Sequence, residues 1–145
     1  MKSVGAKSNI LRVSVELRAV LESAGRKQDV GPTHVLFREG GESAGAFLVC
    51  KGEVLMCVRN MPKLDRFFPT GSLLGLPATF TGRPYSLTAL TVVQSEVLHV
   101  TRGEFLQLMR EHPDLCLEAT NMLGRELTFI QSAQAERRRQ IAKAS

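Results

Sequence analysis

The sequence predicts an α+β fold: a double-stranded β-helix (jelly roll) with one helix before it and a short and a long helix after it. Three observations carry this. Apolar residues recur at helical spacing over 9–24. Short apolar runs broken by Gly and Pro fill 28–100. Helical spacing returns over 101–140. At 145 residues the chain fits a single domain, 1–145, with room for a real core.

The first helix uses Ile10, Leu11, Val13, Leu17, Val20, Leu21 and Ala24, with Ser8 or Asn9 as its cap. Gly25 is read as ending it in the left-handed conformation. Between 28 and 100 the turn signals are Gly31-Pro32, Gly40-Gly41, Gly45, Gly52, Asn60-Met61-Pro62, Pro69-Thr70-Gly71, Gly75, Pro77, Gly82 and Pro84. The strands between them are Val35–Phe37, Ala46–Cys50, Val54–Val58, Arg66–Phe68, Leu87–Val93 and Val97–Val100. Thr101 with Glu104 makes a capping box for a short helix that buries Phe105, Leu106, Leu108 and Met109. His112-Pro113 breaks it, and Pro113 opens a long helix reaching about Arg139. Such a helix is too long for a small β-domain to cover. A homodimer seam through Met122, Leu123, Phe129, Ile130 and Ala133 is therefore expected, with Gly124 allowing close approach.

Composition narrows the function. An apolar share of 43% and a charged share of 23% exclude a disordered or fibrous chain. No run of 18 apolar residues exists, and Met1–Ser8 lacks an apolar signal core, so a cytoplasmic protein without a membrane span is expected. Cys50, Cys57 and Cys116 are odd in number and form no CxxC, which argues against a disulfide framework or a zinc site. Cys50 and Cys57 are placed on opposite faces of one strand and read as small buried side chains. The net charge of +5 lies at the two ends, and Arg137, Arg138, Arg139 and Lys143 read as a solvated helix end suited to the dipole. No GxSxG, HExxH, Walker loop or GxGxxG is present, so the chain is not expected to be an enzyme.

Several motifs together resemble the cyclic-nucleotide-binding domain of the catabolite-activator superfamily of regulators. They are Val35-Leu36-Phe37-Arg38-Glu39-Gly40, Ala46 through Val54 with Lys51-Gly52-Glu53, Gly71-Ser72-Leu73-Leu74-Gly75, Tyr85-Ser86-Leu87-Thr88-Ala89, Glu96 through Val100, and Phe105 through Asp114 with the long helix. The resemblance covers about residues 10–140. It implies a small-molecule effector, such as a cyclic nucleotide, held inside the jelly roll by a phosphate-binding cassette. In the family that cassette carries a Glu for the ribose and an Arg for the cyclic phosphate.

Here the cassette maps to Gly75–Leu87 and departs at both charged positions. Leu76 stands in the Glu slot and Tyr85 in the Arg slot, followed by Ser86; Pro77 also removes a backbone donor. The base-contacting positions of the long helix fall on Ile130 and Gln131. Losing a charge-assisted phosphate pair costs about 2–5 kcal/mol in a buried site, so weak or no cyclic AMP binding in the usual pose is expected. The candidate ligand-binding residues are Leu74, Gly75, Leu76, Ala78, Arg83, Tyr85, Ser86, Leu87, Ile130 and Gln131.

Three readings of this pocket stay open. Arg83 turns inward and replaces the missing Arg, or is merely a solvated loop charge. An apolar cavity of Met56, Leu73, Leu74, Leu76 and Leu87 takes another effector. Or the pocket is vestigial, filled by Leu76 and Tyr85, and the domain is a dimerisation module. An iron–sulfur site has no cysteine before Cys50 to hold it, and His34, His99 and His112 read as structural rather than as haem ligands. The chain stops at Ser145 without a helix-turn-helix. It is thus either a stand-alone sensor or the sensor part of a transcription regulator, and nucleic acid is expected only through an absent or separate domain.

Overall fold

The computed structural model describes residues 6–144. Met1–Gly5 and Ser145, which include most of the leader segment discussed above, lie outside the described residues. The element order is β1 (Ala6–Lys7), α1 (Val15–Ala24), β2 (Arg26–Val30), β3 (Val35–Phe37), β4 (Ala46–Lys51), β5 (Glu53–Cys57), β6 (Arg66–Pro69), β7 (Leu73–Leu74), α2 (Leu76–Thr81), β8 (Thr88–Thr91), β9 (Ser95–Val100), α3 (Arg102–Glu111) and α4 (Pro113–Ala144). One sheet runs β1-β6-β5-β8-β3 and the other β2-β9-β4-β7. All pairings are antiparallel except β1 on β6. The fold is the α+β jelly roll that the sequence predicts.

The first helix is shorter than its apolar spacing suggests. Ser14, not Ser8 or Asn9, is its cap, accepting from Leu17 N–H at 3.0 Å. Residues 9–13 instead cross the end of the barrel. Leu11 C=O accepts from Leu73 N–H and Val13 N–H donates to Gly71 C=O, both at 2.9 Å, which buries Leu11 completely. Gly25 is extended (φ −87°, ψ 177°) rather than left-handed. Its reason is space: a Cβ there would meet the Leu98 side chain at 2.7 Å.

β2 escapes an apolar reading because four of its five residues, Arg26–Asp29, face solvent. Its pairing with β9 needs only backbone, and charged side chains suit an exposed edge. Cys50 and Cys57 belong to different strands, β4 and β5, separated by the Gly52 turn, so the single-strand placement does not hold. Both thiols are pushed above the usual range by burial.

Thr101 and Glu104 form the expected capping box, with Glu104 N–H donating to Thr101 Oγ1 at 3.2 Å and Thr101 N–H to Glu104 Oε1 at 3.0 Å. Arg26 adds a forked ion pair to the same carboxylate, which is held down at a pKa of about 2. α4 is 32 residues long, about 48 Å, and extends five residues past Arg139. Its inner face is Ala119, Met122, Glu126, Ile130 and Ala133. Leu123 and Phe129 pack half-buried against the same core. The five residues expected to form a dimer seam are therefore engaged by the chain's own barrel. Ser14 also fixes α1 to α4, through Ser14 N–H and Oγ on the Glu118 carboxylate at 2.8 and 2.6 Å. No described helix is long and apolar enough to cross a membrane.

The capping box predicts that Thr101→Ala destabilises the domain by about 1 kcal/mol. Thermal unfolding should show a melting point lower by roughly 2–4 °C; an unchanged value would remove the cap from the account of α3.

Candidate functional site

The cassette begins where β7 ends. Gly75 takes a positive φ of +88°, turning the chain from strand into helix within one residue. A Cβ at this position would sit 3.2 Å from Gly45 C=O and from Tyr85 Cε1, so both conformation and space call for glycine. α2 then runs six residues and stops at Gly82, also left-handed. Arg102 of α3 donates to the last α2 carbonyls, Thr79 at 2.9 Å and Phe80 at 3.3 Å, and Ser43 donates to Ala78 at 2.8 Å.

The other end of α2 is met by a carboxylate from α4. Glu126 accepts from Gly75 N–H at 3.2 Å and from Leu76 N–H at 3.3 Å, and is 2% exposed. These are the first backbone donors of the segment to which the resemblance maps a phosphate-binding cassette. The chain thus places its own anion on them. A negative group at the start of α2 and a guanidinium at its end both suit the peptide dipoles. Burial pushes the Glu126 pKa up to about 7, against the lowering pull of the two N–H groups.

Tyr85, in the Arg slot, is buried and doubly bonded. Its hydroxyl accepts from Ala44 N–H at 2.9 Å and donates to Gly45 C=O at 2.7 Å. Its ring stacks on Phe37 with centroids 4.1 Å apart and planes 12° from parallel. Burial raises the phenol pKa. Tyr85 therefore rivets the cassette to the loop between β3 and β4.

Little space remains between these groups. A void of about 10 Å³ lies among Gly75, Ala78, Tyr85, Ser86, Glu126 and Ile130, too small to hold more than a single water. Leu74, Leu76, Ala78 and Leu87 are buried core residues, as are Met56 and Leu73. The apolar cavity expected from Met56 and these leucines is thus a packed core. Arg83 is exposed in the loop after α2, and its side chain lines none of the cavities described here. Gln131 is exposed too; α4 turns Ile130, Ala133, Gln134 and Arg137 toward the site instead.

Open space begins one helical turn further along α4. A cavity of about 220 Å³ lies between Tyr85, Ser86, Leu87, Ile130, Gln134 and Arg137. Through Glu39, Gly40 and Arg137 it continues into a cleft of about 840 Å³. At the junction Arg137 holds Glu39 with both guanidinium nitrogens, at 2.7 and 3.2 Å. Glu39 also accepts from Arg59 N–H at 3.4 Å, and its carboxyl lies below the usual range, mainly through Arg137. Arg139 and Lys63 both pair with Glu136, so the basic end of α4 is partly neutralised within the chain.

His99 stacks on Phe47 and contacts Ala44 C=O, and His112 caps α3. No cluster of three metal-ligating side chains occurs among the described residues.

Sequence reasoning missed Glu126 and the Glu39–Arg137 pair. Glu126 carried a signal: it stands four residues before Ile130 and four after Met122, on the one stripe that must be buried. A lone carboxylate in such a stripe needs donors, and the cassette supplies them.

Residues 27–112 match the family model described as the cyclic nucleotide-binding domain. Solved structures share the fold. The catabolite activator protein of Thermus thermophilus is 21% identical, with a TM-score of 0.66 over 89% of this chain and 61% of that one. The N-terminal domain of a transcriptional regulator from Streptomyces coelicolor is 18% identical, with a TM-score of 0.61 over 92% and 95%. The c-di-GMP responsive global regulator CLP of Xanthomonas campestris is 14% identical, with a TM-score of 0.67 over 84% and 63%. This chain thus spans under two thirds of the Thermus and Xanthomonas proteins. No curated protein sequence matches it. The matched segment takes in every strand from β3 to β9, the cassette and α3, and with well over half its residues inside that match the chain belongs to the cyclic nucleotide-binding domain family.

Proposed function

We propose that this chain is a non-enzymatic, ligand-sensing regulatory domain whose cassette is closed by its own side chains to a cyclic nucleotide in the usual pose. The observation that carries this is Glu126 on the Gly75 and Leu76 N–H groups. A cyclic phosphate entering there would meet a carboxylate rather than free donors, with Tyr85 in place of a guanidinium. Donors already occupied and a missing charge pair both disfavour the bound state.

A thermal-shift titration tests this. Cyclic AMP and cyclic GMP at 1 mM should move the melting point by less than about 1 °C. Cyclic di-GMP, to which the Xanthomonas regulator responds, belongs in the same panel. A shift of several degrees with cyclic AMP would overturn the closed-cassette reading.

Glu126 also makes stability depend on pH. Its folded pKa of about 7 lies above the ordinary carboxyl value, so the folded chain holds a proton that the unfolded chain releases. The stabilising contribution is complete below about pH 4.5 and fades as pH rises through 7. The Tyr85 phenol, which lines the same void and has its pKa raised by burial, stays neutral across this range. Denaturant unfolding between pH 5 and 8 should show the native chain losing about 2 kcal/mol relative to Glu126→Gln. Parallel profiles would show that Glu126 stays ionised throughout.

A dimer through α4 belongs to the same reading, but by a different face from the one the sequence suggested. Leu117 and Leu127 are 66% and 38% exposed, and Gly124 between them has open space where a Cβ would stand. Thr120 completes a stripe at helical spacing on which a second copy of α4 can lie. Light scattering at tens of micromolar should give about 32 kDa, twice the 15.9 kDa chain; a clean monomer would sink it.

A further inference from the structure

Three guanidiniums gather where the turn at 9–13 meets the middle of α4. Arg125 of α4 donates to Ile10 C=O at 3.3 Å, which sets it beside the turn that carries Arg12. One helical turn further along α4, the half-buried Arg66 of β6 lies over the Phe129 ring, 5.9 Å from its centroid. Arg12 is exposed and has no hydrogen bond or ion pair to a described residue. Arg66 and Arg125 each spend one nitrogen on a backbone carbonyl, those of Asp65 and Ile10. None of the three forms an ion pair among the described residues, whereas Arg18, Arg26, Arg137 and Arg139 each hold a glutamate. Glu126, next to Arg125 in the chain, is buried on the other side of the helix. Apolar surface stands beside the charges: Ile10 is 40% exposed and Phe129 half-buried.

Guanidiniums without carboxylates, spread over three elements, call for a partner that brings several anions at once. A nucleic acid strand fits less well than a protein. Three cations neutralise about three phosphates, a short row for a strand. A base also needs an open aromatic face, and Phe129 has Arg66 over its ring and Phe68 at 6.1 Å. Carboxylates suit the guanidinium forks, and leucine side chains suit Ile10 and Phe129. We propose that this surface docks an acidic, leucine-bearing segment of a partner protein, its carboxylates on Arg12, Arg66 and Arg125 and its apolar side chains on Ile10 and Phe129. The surface is separate from the Leu117–Gly124–Leu127 stripe. Leu127 is two residues from both Arg125 and Phe129, about 200° round the helix. A second copy of α4 on that stripe leaves the docking surface open, and the cassette takes no part in it.

Fluorescence anisotropy on the whole chain at about 0.1 M salt tests it, where charges are screened beyond about 10 Å. The probe is a fluorescein-labelled peptide of four Glu-Glu-Leu repeats, with polyglutamate and oligothymidylate of the same length beside it. The Glu-Glu-Leu peptide should bind the native chain, and R12E/R125E should bind it about tenfold or more weakly. Arg12→Glu alone, whose side chain holds no partner, should weaken it several-fold and keeps the test open if the double variant unfolds. R138E/K143E changes the net charge equally, about 20 Å or more further along α4, and should leave the affinity unchanged. Polyglutamate should bind less tightly than the leucine-bearing peptide. Absence of peptide binding at millimolar concentration, equal affinity in R12E/R125E, or an equal loss in R138E/K143E overturns the surface. Equal affinity for polyglutamate overturns the role of Ile10 and Phe129. Tighter binding of oligothymidylate than of the peptide overturns the choice of a protein partner.

Discussion

A carboxylate buried at the junction of α2 and α4 sets the constraint on which the rest of this structure turns. Glu126 cannot be removed from water without donors, and the donors within reach are the first two N–H groups of the cassette. That contact fixes where α4 crosses the barrel. It also fixes which α4 residues face inward, because positions three or four apart on the helix follow Glu126: Met122, Ile130 and Ala133. Arg137, three turns on, then reaches Glu39. The occupied N–H groups of Gly75 and Leu76, the packed interior and the open cleft beyond it go with one placement.

Tyr85 shows the same exchange of ligand chemistry for internal chemistry. A guanidinium there would need an anion. The phenol needs only one acceptor and one donor, and Gly45 C=O and Ala44 N–H supply them. The ring adds a stacked contact with Phe37 that an arginine would make less completely. Gly75 and Gly82 keep the turns at both ends of α2, while Glu126 and Tyr85 bond that segment to the rest of the chain.

The fold was legible in the sequence because its determinants are local. Gly and Pro bracket the strands, short apolar runs such as Val54–Val58 mark them, and Thr101 with Glu104 marks the start of α3. The failures have physical causes. Residues 9–13 have helical spacing but form a turn, closed by Arg12 N–H on Asn9 C=O, that Gly71 and Leu73 tie to the barrel. β2 pairs through backbone alone, so its side chains carry no apolar signal. The site was half legible: Leu76 and Tyr85 stood out as departures, and both are buried where the resemblance placed them. Arg83 takes the solvated one of its two readings, and Gln131 faces solvent because helix phase depends on tertiary contacts. Glu126 and Glu39 were not among the residues the sequence singled out for the site. Each gains its meaning from a partner 50 or 98 residues away.

Those separations bear on how the chain folds during synthesis. The strands are complete once Val100 has left the ribosome, yet the Gly75 and Leu76 N–H groups have no partner until Glu126 follows. The tie of Ser14 to α4 likewise waits for Glu118, 104 residues behind it. A nascent chain paused after α3 would hold a barrel with one exposed end. Its cassette donors would then be open to water and to passing anions. Closure of that end is a late, long-range event, set by the last helix to be made.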